Sequence, residues 1–341
     1  MKPEASRTEL IAADAHRGTR LDRFIVERCP NLSRARVQEL IEERLVLVNG
    51  APAKAALKLR GGERIYVEAQ ERPPLSAEPE HIPLQILYED DDVLVVNKPA
   101  GMSVHAGAGN SQGTLVNALL GRGQSLSSGG AVTNDLRPGI VHRLDKDTSG
   151  VIAIAKNDFA HAKLAESFRT RAVKKTYLAL AEGKFDRDQG TIELAIGRDP
   201  TRRTRMKALA ATLKTGSRAL AGKARSAITE WRKLAEIGSA TLLEVQLHTG
   251  RTHQIRAHLS ALKHPLVGDT LYGAATHLQT RNSAMPALGR QFLHSTKLGF
   301  PHPRSGKWVE TRAPLPSDLR DYLDRLAAAE GKSLAAAESY F

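Results

Sequence analysis

Residues 137–157, R-P-G-I-V-H-R-L-D-K-D-T-S-G-V-I-A-I-A-K-N, constrain this chain more than any other stretch. Arg137-Pro138-Gly139 signals a turn, because Pro fixes φ and Gly frees it. A charged knot follows, His142-Arg143-Leu144-Asp145-Lys146-Asp147. Thr148-Ser149-Gly150 then turns into Val151–Ala155, an apolar run that reads as a buried strand. Ionised side chains are seldom buried unless paired. A carboxylate crowded by His, Arg and Lys in a tight loop between strands therefore reads as function carried on a rigid scaffold, against the plainer alternative of a solvated charged loop.

Two familiar chemistries are excluded. A protein-kinase catalytic loop would read H-R-D-L, whereas here Leu144 precedes Asp145, and neither a glycine-rich phosphate loop nor D-F-G accompanies it. A metal site is not expected either. His142 has no neighbour at ligand spacing, His253 and His258 are five apart, and no H-E-x-x-H occurs.

The nine residues H-R-L-D-K-D-T-S-G at 142–150 match throughout the signature of the ribosomal large-subunit pseudouridine synthases of the RluA/RluD type, a family that this chain resembles. The resemblance implies that Asp145 is the catalytic carboxylate. In K-K-T-Y-L-A-L at 174–180 it implies that Tyr177 stands over the target base and assists deprotonation, although Tyr also suits an ordinary half-buried strand. In T-G-R-T-H-Q-I-R-A-H-L at 249–259 it maps Arg256 to the partner of the aspartate. A bidentate guanidinium there would hold a partly buried carboxylate ionised. Arg251 is the rival for that role and is otherwise assigned to RNA, together with Arg143 and His253. Q-F-L-H-S at 291–295 places Leu293 against the tyrosine. G-R-D-P-T-R-R-T-R-M at 197–206 supplies Arg202 and Arg205 as RNA contacts. P-A-G-M-S-V-H-A-G-A-G-N at 99–110 points to the RluD-like branch, and hence to large-subunit (23S) rRNA in a ribosomal precursor particle.

A second resemblance covers the N-terminal part. R-L-D-R-F at 20–24, L-S-R-A-R-V-Q-E-L-I at 32–41 and V-L-V-N-G at 46–50 resemble the alpha-L RNA-binding domain. Thr19 is expected to cap a helix with Leu21, Phe24 and Ile25 on one face, and Ser33 a second with Val37, Leu40 and Ile41. Asn49-Gly50 reads as a hairpin turn. Arg34 and Arg36, near a helix start, are expected to meet phosphates.

The expected architecture is α+β. A flexible N-terminus (1–17) precedes the RNA-binding module (18–69) and a Pro-rich linker (70–83). A catalytic domain (84–325) follows, with a mixed, largely antiparallel central sheet flanked by helices and loops, and then a loosely docked C-terminal extension (326–341). Asp158–Arg171 is an amphipathic helix anchored by Phe159, Leu164 and Phe168. Gly121–Gly130 reads as a mobile loop, and 208–223 as an unusually long hairpin turn.

A formal net charge of +13 over 341 residues suggests a polyanionic partner. Residues 197–225 hold nine Lys and Arg against one acid, so the excess is concentrated. The single cysteine, Cys29, excludes an intrachain disulfide. No stretch of eighteen apolar residues occurs, and a soluble, cytoplasmic monomer is expected. Pseudouridine formation neither adds nor removes atoms, so no cofactor is expected. A tRNA-directed synthase remains an alternative target. A non-catalytic RNA-binding or ribosome-assembly factor would have no use for Asp145, Tyr177 and Arg256 together. A hydrolase built on a lone Asp lacks a second carboxylate motif.

Overall fold

The computed structural model describes residues 5–29, 32, 34–70, 78–106, 112–123, 126–127, 137–202, 204–209, 224–281 and 283–340, without the side chains at 5–6, 34–36, 69–70, 336 and 339. Ser33, linker residues 71–77, residues 124–125 and 128–130 of the 121–130 loop, and 210–223 of the basic segment therefore lie outside the described residues. Contacts divide the chain into two units, Met1–Ser76 and Ala77–Phe341.

In the first unit a four-stranded sheet has the order β1-β4-β2-β3, formed by β1 (Ala5–Ile11), β2 (Val46–Val48), β3 (Ala51–Pro52) and β4 (Arg64–Gln70). Two helices, α1 (Leu21–Arg28) and α2 (Arg34–Glu42), pack on it through Leu21, Phe24, Ile25, Val37, Leu40 and Ile41, all buried. Asn49 (φ 51°) and Gly50 (φ 82°) both adopt positive φ, as a type I′ hairpin turn requires. Two expectations fail here. Residues 5–11 are not loose but pair along their whole length with β4. Their mostly polar sequence suits an edge strand, which reads as coil when the partner is out of view. The N-cap of α1 is Arg20 rather than Thr19, and its guanidinium grips buried Asp22 at 2.9 and 3.0 Å.

The second unit is built on a nine-stranded sheet of order β5-β6-β7-β16-β8-β13-β12-β9, with β17 paired to β16. Its strands are β5 (Gln85–Glu89), β6 (Val93–Lys98), β7 (Ser149–Ala155), β8 (Lys174–Glu182), β9 (Gln189–Glu193), β12 (Ile228–Ile237), β13 (Ala240–Leu247), β16 (Leu293–Pro301) and β17 (Trp308–Arg312). Two hairpins, β10 (Ala195–Arg198) with β11 (Met206–Leu209) and β14 (His277–Gln279) with β15 (Ala284–Pro286), stand apart. Every pairing in the large sheet is antiparallel except β7 with β16. This is the mixed sheet expected.

Period-two alternation gives the sheet two apolar faces. Leu94, Val96, Ile152, Ile154, Tyr177, Ala179, Leu243 and Val245 share one cluster, which α3 (Leu115–Gly121) and α5 (Gln254–Ala261) help to cover. Val93, Val95, Val151 and Ala153 turn the other way, toward α4 (Asp158–Arg169). Leu178, Leu180 and Leu242 pack with α6 (Ser317–Glu330).

In α4 the buried positions are Ala160 and Leu164, with Phe168 half-buried, and Phe159 is exposed. The anchoring stripe is thus i, i+4, i+8 from Ala160. Phe159 lies to one side, under the guanidinium of Arg304 at 5.2 Å. The C-terminal end is not loosely docked. Helix α6 runs on to Glu330, and Leu326, Leu334 and Ala337 are buried in the same cluster as the strands. Among the described residues no helix is long and apolar enough to cross a membrane.

Candidate active site

The loop that enters β7 is fixed from several sides. A turn closes Asp145 C=O on Thr148 N–H at 3.1 Å. Lys98, wholly buried at the end of β6, donates to the Lys146 carbonyl at 3.0 Å and to those of Pro99 and Met102. Arg290 donates to the Asp147 carbonyl at 3.0 Å while its fork holds Asp318 at the start of α6. Gln291 reaches the Thr148 hydroxyl at 3.2 Å. His142 accepts the Ala153 N–H at 2.9 Å and stacks on Phe168. Gly150 closes the motif for a steric reason. Its φ is 113°, and a Cβ there would lie 2.2 Å from the Ser295 carbonyl oxygen on parallel β16.

On this frame stands Asp145, its side chain 16% exposed. Arg256, from the first turn of α5, donates from Nη1 to Asp145 Oδ2 at 3.3 Å. Its two-pronged fork goes elsewhere: Nε and Nη2 hold Asp269 at 2.6 and 2.8 Å. Burial opposes the charge of Arg256, but the bond to Asp269 and the two carboxylates outweigh it and push its pKa up. The expected bidentate grip on Asp145 is therefore corrected to a single bond, with Asp269 as the bidentate partner. Arg251, the rival, bonds instead to the Ser226 carbonyl at 3.2 Å.

Asp269 and Tyr272 were not singled out from the sequence. The Tyr272 ring lies 4.9 Å from the Arg256 guanidinium and 5.0 Å from that of Arg205. Its hydroxyl accepts the Met206 N–H at 2.9 Å and meets His253 Nδ1 at 3.0 Å. His253 Nε2 then lies 4.0 Å from Asp145 Oδ2. His253 has φ 52°, an uncommon conformation for a non-glycine residue and one that occurs at functional sites. Burial pulls its pKa down.

Asp145 sits in a cleft of about 470 Å³ lined also by Arg143, Tyr177, Arg251, His253, Arg256 and Leu293. Tyr177 and Leu293 come from neighbouring antiparallel strands, β8 and β16. Burial raises the Tyr177 phenol, a bond with Ser295 opposes this, and the charge of Asp145 adds to it, so the group is a neutral phenol at rest. Of the other expected contacts, Arg202 is exposed on the β10–β11 turn outside the cleft lining, and Arg205 is folded over Tyr272. The side chains of Arg34 and Arg36 lie outside the described ones. Among the described residues no cluster of His, Cys, Asp and Glu suited to a metal ion occurs.

An aspartate bonded to an arginine on the floor of a cationic cleft, with a buried tyrosine beside it on a mixed sheet, defines an enzyme that acts on an anionic, ring-bearing substrate. The RNA pseudouridylate synthase family matches residues 92–261, and the S4 domain matches residues 19–65. An uncharacterized RNA pseudouridine synthase of Chloroflexus aurantiacus is 45% identical over 95% of this chain and 95% of its own. The ribosomal large subunit pseudouridine synthase D of Nitrosomonas europaea is 41% identical over 93% and 87%. The solved structure of human RNA pseudouridylate synthase domain containing 1 aligns with a TM-score of 0.53 and 28% identity, covering 73% of this chain and 96% of that one. The chain belongs to the RNA pseudouridine synthases, isomerases that act on RNA, and carries an N-terminal S4 RNA-binding domain.

Proposed function

We propose that the protein converts uridines of large-subunit rRNA to pseudouridine in the cytoplasm, acting as a monomer on ribosomal precursor particles, with Asp145 as the catalytic carboxylate. One observation carries the assignment of Asp145. Its Oδ2 is tied to Arg256, whereas among the described residues Oδ1 takes no hydrogen bond and is available to substrate in the cleft. The reaction breaks the C1′–N1 bond, turns the uracil and joins C1′ to C5; the proton lost from C5 is matched by one taken up at N1, so no atom is gained or lost. An ionised carboxylate serves this chemistry as a nucleophile or as a base toward the ribose. The target base must leave its stack to reach a loop carboxylate. Tyr177 then offers it a flat ring, with Leu293 alongside. Arg143, Arg251 and His253 line the path of the nucleotide. Arg34, Arg36, Arg202 and Arg205 serve RNA binding outside the cleft.

The name carried by the Nitrosomonas relative supports rRNA over tRNA. Asp145→Asn keeps shape and removes charge, so pseudouridine formation should be lost while RNA affinity stays within about twofold. Turnover within roughly tenfold of wild type, about 1.4 kcal/mol of barrier, would remove Asp145 from the chemistry. Mapping pseudouridines in total RNA from cells with and without the protein tests the target. Sites lost only from tRNA would redirect the reading.

A further inference from the structure

One end of the cleft holds more positive charge than the steps above use. Lys175, Arg171 and Arg251 all line it. Lys175 is only 9% exposed, and its ammonium donates to the Thr249 carbonyl at 3.2 Å. Its remaining protons meet no carboxylate among the described residues. Instead, burial and the charges of Arg171 and Arg251 pull its pKa down to about 8. Arg251 is lowered in turn by burial, Arg225 and Arg171. No ion pair to any of these four cations occurs among the described residues. Cations left mutually repelling in a partly buried site are costly unless an anion is meant to join them.

The backbone adds an independent sign. Arg171 follows the C-cap of α4 with φ 62°, at a position where glycine is the cheap residue. An arginine held there in a left-handed conformation suggests that its guanidinium is needed at the cleft. Register supplies the distance. Lys175 and Tyr177 are two apart on β8 and point to the same face, about 6.6 Å apart along the strand. A base and the phosphate of its own nucleotide are separated by one sugar, a comparable span.

We propose that Lys175, Arg171 and Arg251 form a phosphate subsite that holds a backbone phosphate of the same nucleotide whose base rests on Tyr177. The inference builds on the reading of Tyr177 given above. It assigns Lys175 a substrate contact: the strand that carries the base platform also carries the phosphate anchor, which sets the flipped nucleotide in register with Asp145.

The test uses the full chain and three small probes, uridine, uridine 5′-monophosphate and uridine 3′-monophosphate, titrated by calorimetry. One monophosphate should bind at least tenfold tighter than uridine. Inorganic phosphate should erase that advantage by competition. Lys175→Met should abolish it with uridine affinity unchanged, and Lys175→Arg should restore part of it. Arg171→Gln, at an exposed position, should reduce it severalfold and decides the matter if Lys175→Met fails to fold. A wild-type protein that binds all three probes alike overturns the subsite, as does an advantage that survives both variants. Asp145→Asn should keep the phosphate advantage. A wild-type protein that shows the advantage yet modifies no RNA would sink the catalytic reading and leave the subsite standing.

Discussion

Arg256 divides its donors between two carboxylates, and that division decides how it should respond to mutation. Lysine can supply a charge to Asp145 or to Asp269, but it lacks the planar fork that meets both. Arg256→Lys should therefore lower kcat by more than tenfold. Asp269 is buried and does not line the cleft. Asp269→Asn should accordingly lower kcat at least tenfold with KM for RNA nearly unchanged, and should lower the melting temperature because a buried arginine loses its ionic partner. Arg251→Lys should raise the RNA Kd and leave kcat close to wild type. Steady-state kinetics on the same RNA separate the three. If Arg251→Lys alone lowered kcat, the positioning role would move to Arg251. The aspartate and its arginine were legible because each lies in a long, distinctive string. Asp269 was not, since no local spacing ties it to an arginine thirteen residues upstream.

Strand β7 carries the site's acid sensitivity in the histidines packed beside it. His142, facing α4, is pulled down to about 3 by burial and the charge of Lys175. His294, on the neighbouring strand, is pulled down to about 4, chiefly by burial; it bonds to the Ser149 hydroxyl at 2.9 Å and faces the Ala313 carbonyl. Both are neutral in the fold, whereas the unfolded chain takes up protons below about 6.5. Their contribution is thus fully present above pH 6.5 and is lost as pH falls toward 4. Asp92, held near 2 by Arg304 and Asn157, gives way only in stronger acid. The melting temperature should fall between pH 6.5 and 4, and His294→Gln should flatten the denaturation free energy against pH by about one proton in that window. An unchanged slope would contradict the assignment. Element boundaries show where local pattern stops sufficing. Helix α4 was legible as a helix, but its buried face was misjudged, because a small Ala160 lets the helix approach the sheet where bulky Phe159 was expected to anchor it. Strand β1 and the C-terminal turn of 335–340 owe their order to long-range partners, β4 and the cluster around α6.

At the scale of the whole molecule, charge is divided unequally between the two units. Residues 1–76 contain 14 Lys and Arg against 11 Asp and Glu, a net +3 of the chain's +13. The first unit is therefore not the main source of bulk attraction to RNA. An S4 domain of such modest charge is expected to contribute through placed contacts rather than through its field. It also has its own buried core, from Ala12 to Val67, and its own sheet. Deleting residues 1–76 should leave a catalytic unit that melts in one cooperative transition by calorimetry. Binding of the truncated chain to target RNA should weaken, whereas binding to unrelated RNA should change much less. The ratio of the two affinities should thus fall, and the slope of log K against log salt should become shallower by less than half, because most net charge remains. If truncation removed the cooperative melt, the two units would share a core. If it weakened target and unrelated RNA equally, the first unit would supply attraction without discrimination, and target choice would lie in the cleft and the basic hairpin of the catalytic unit.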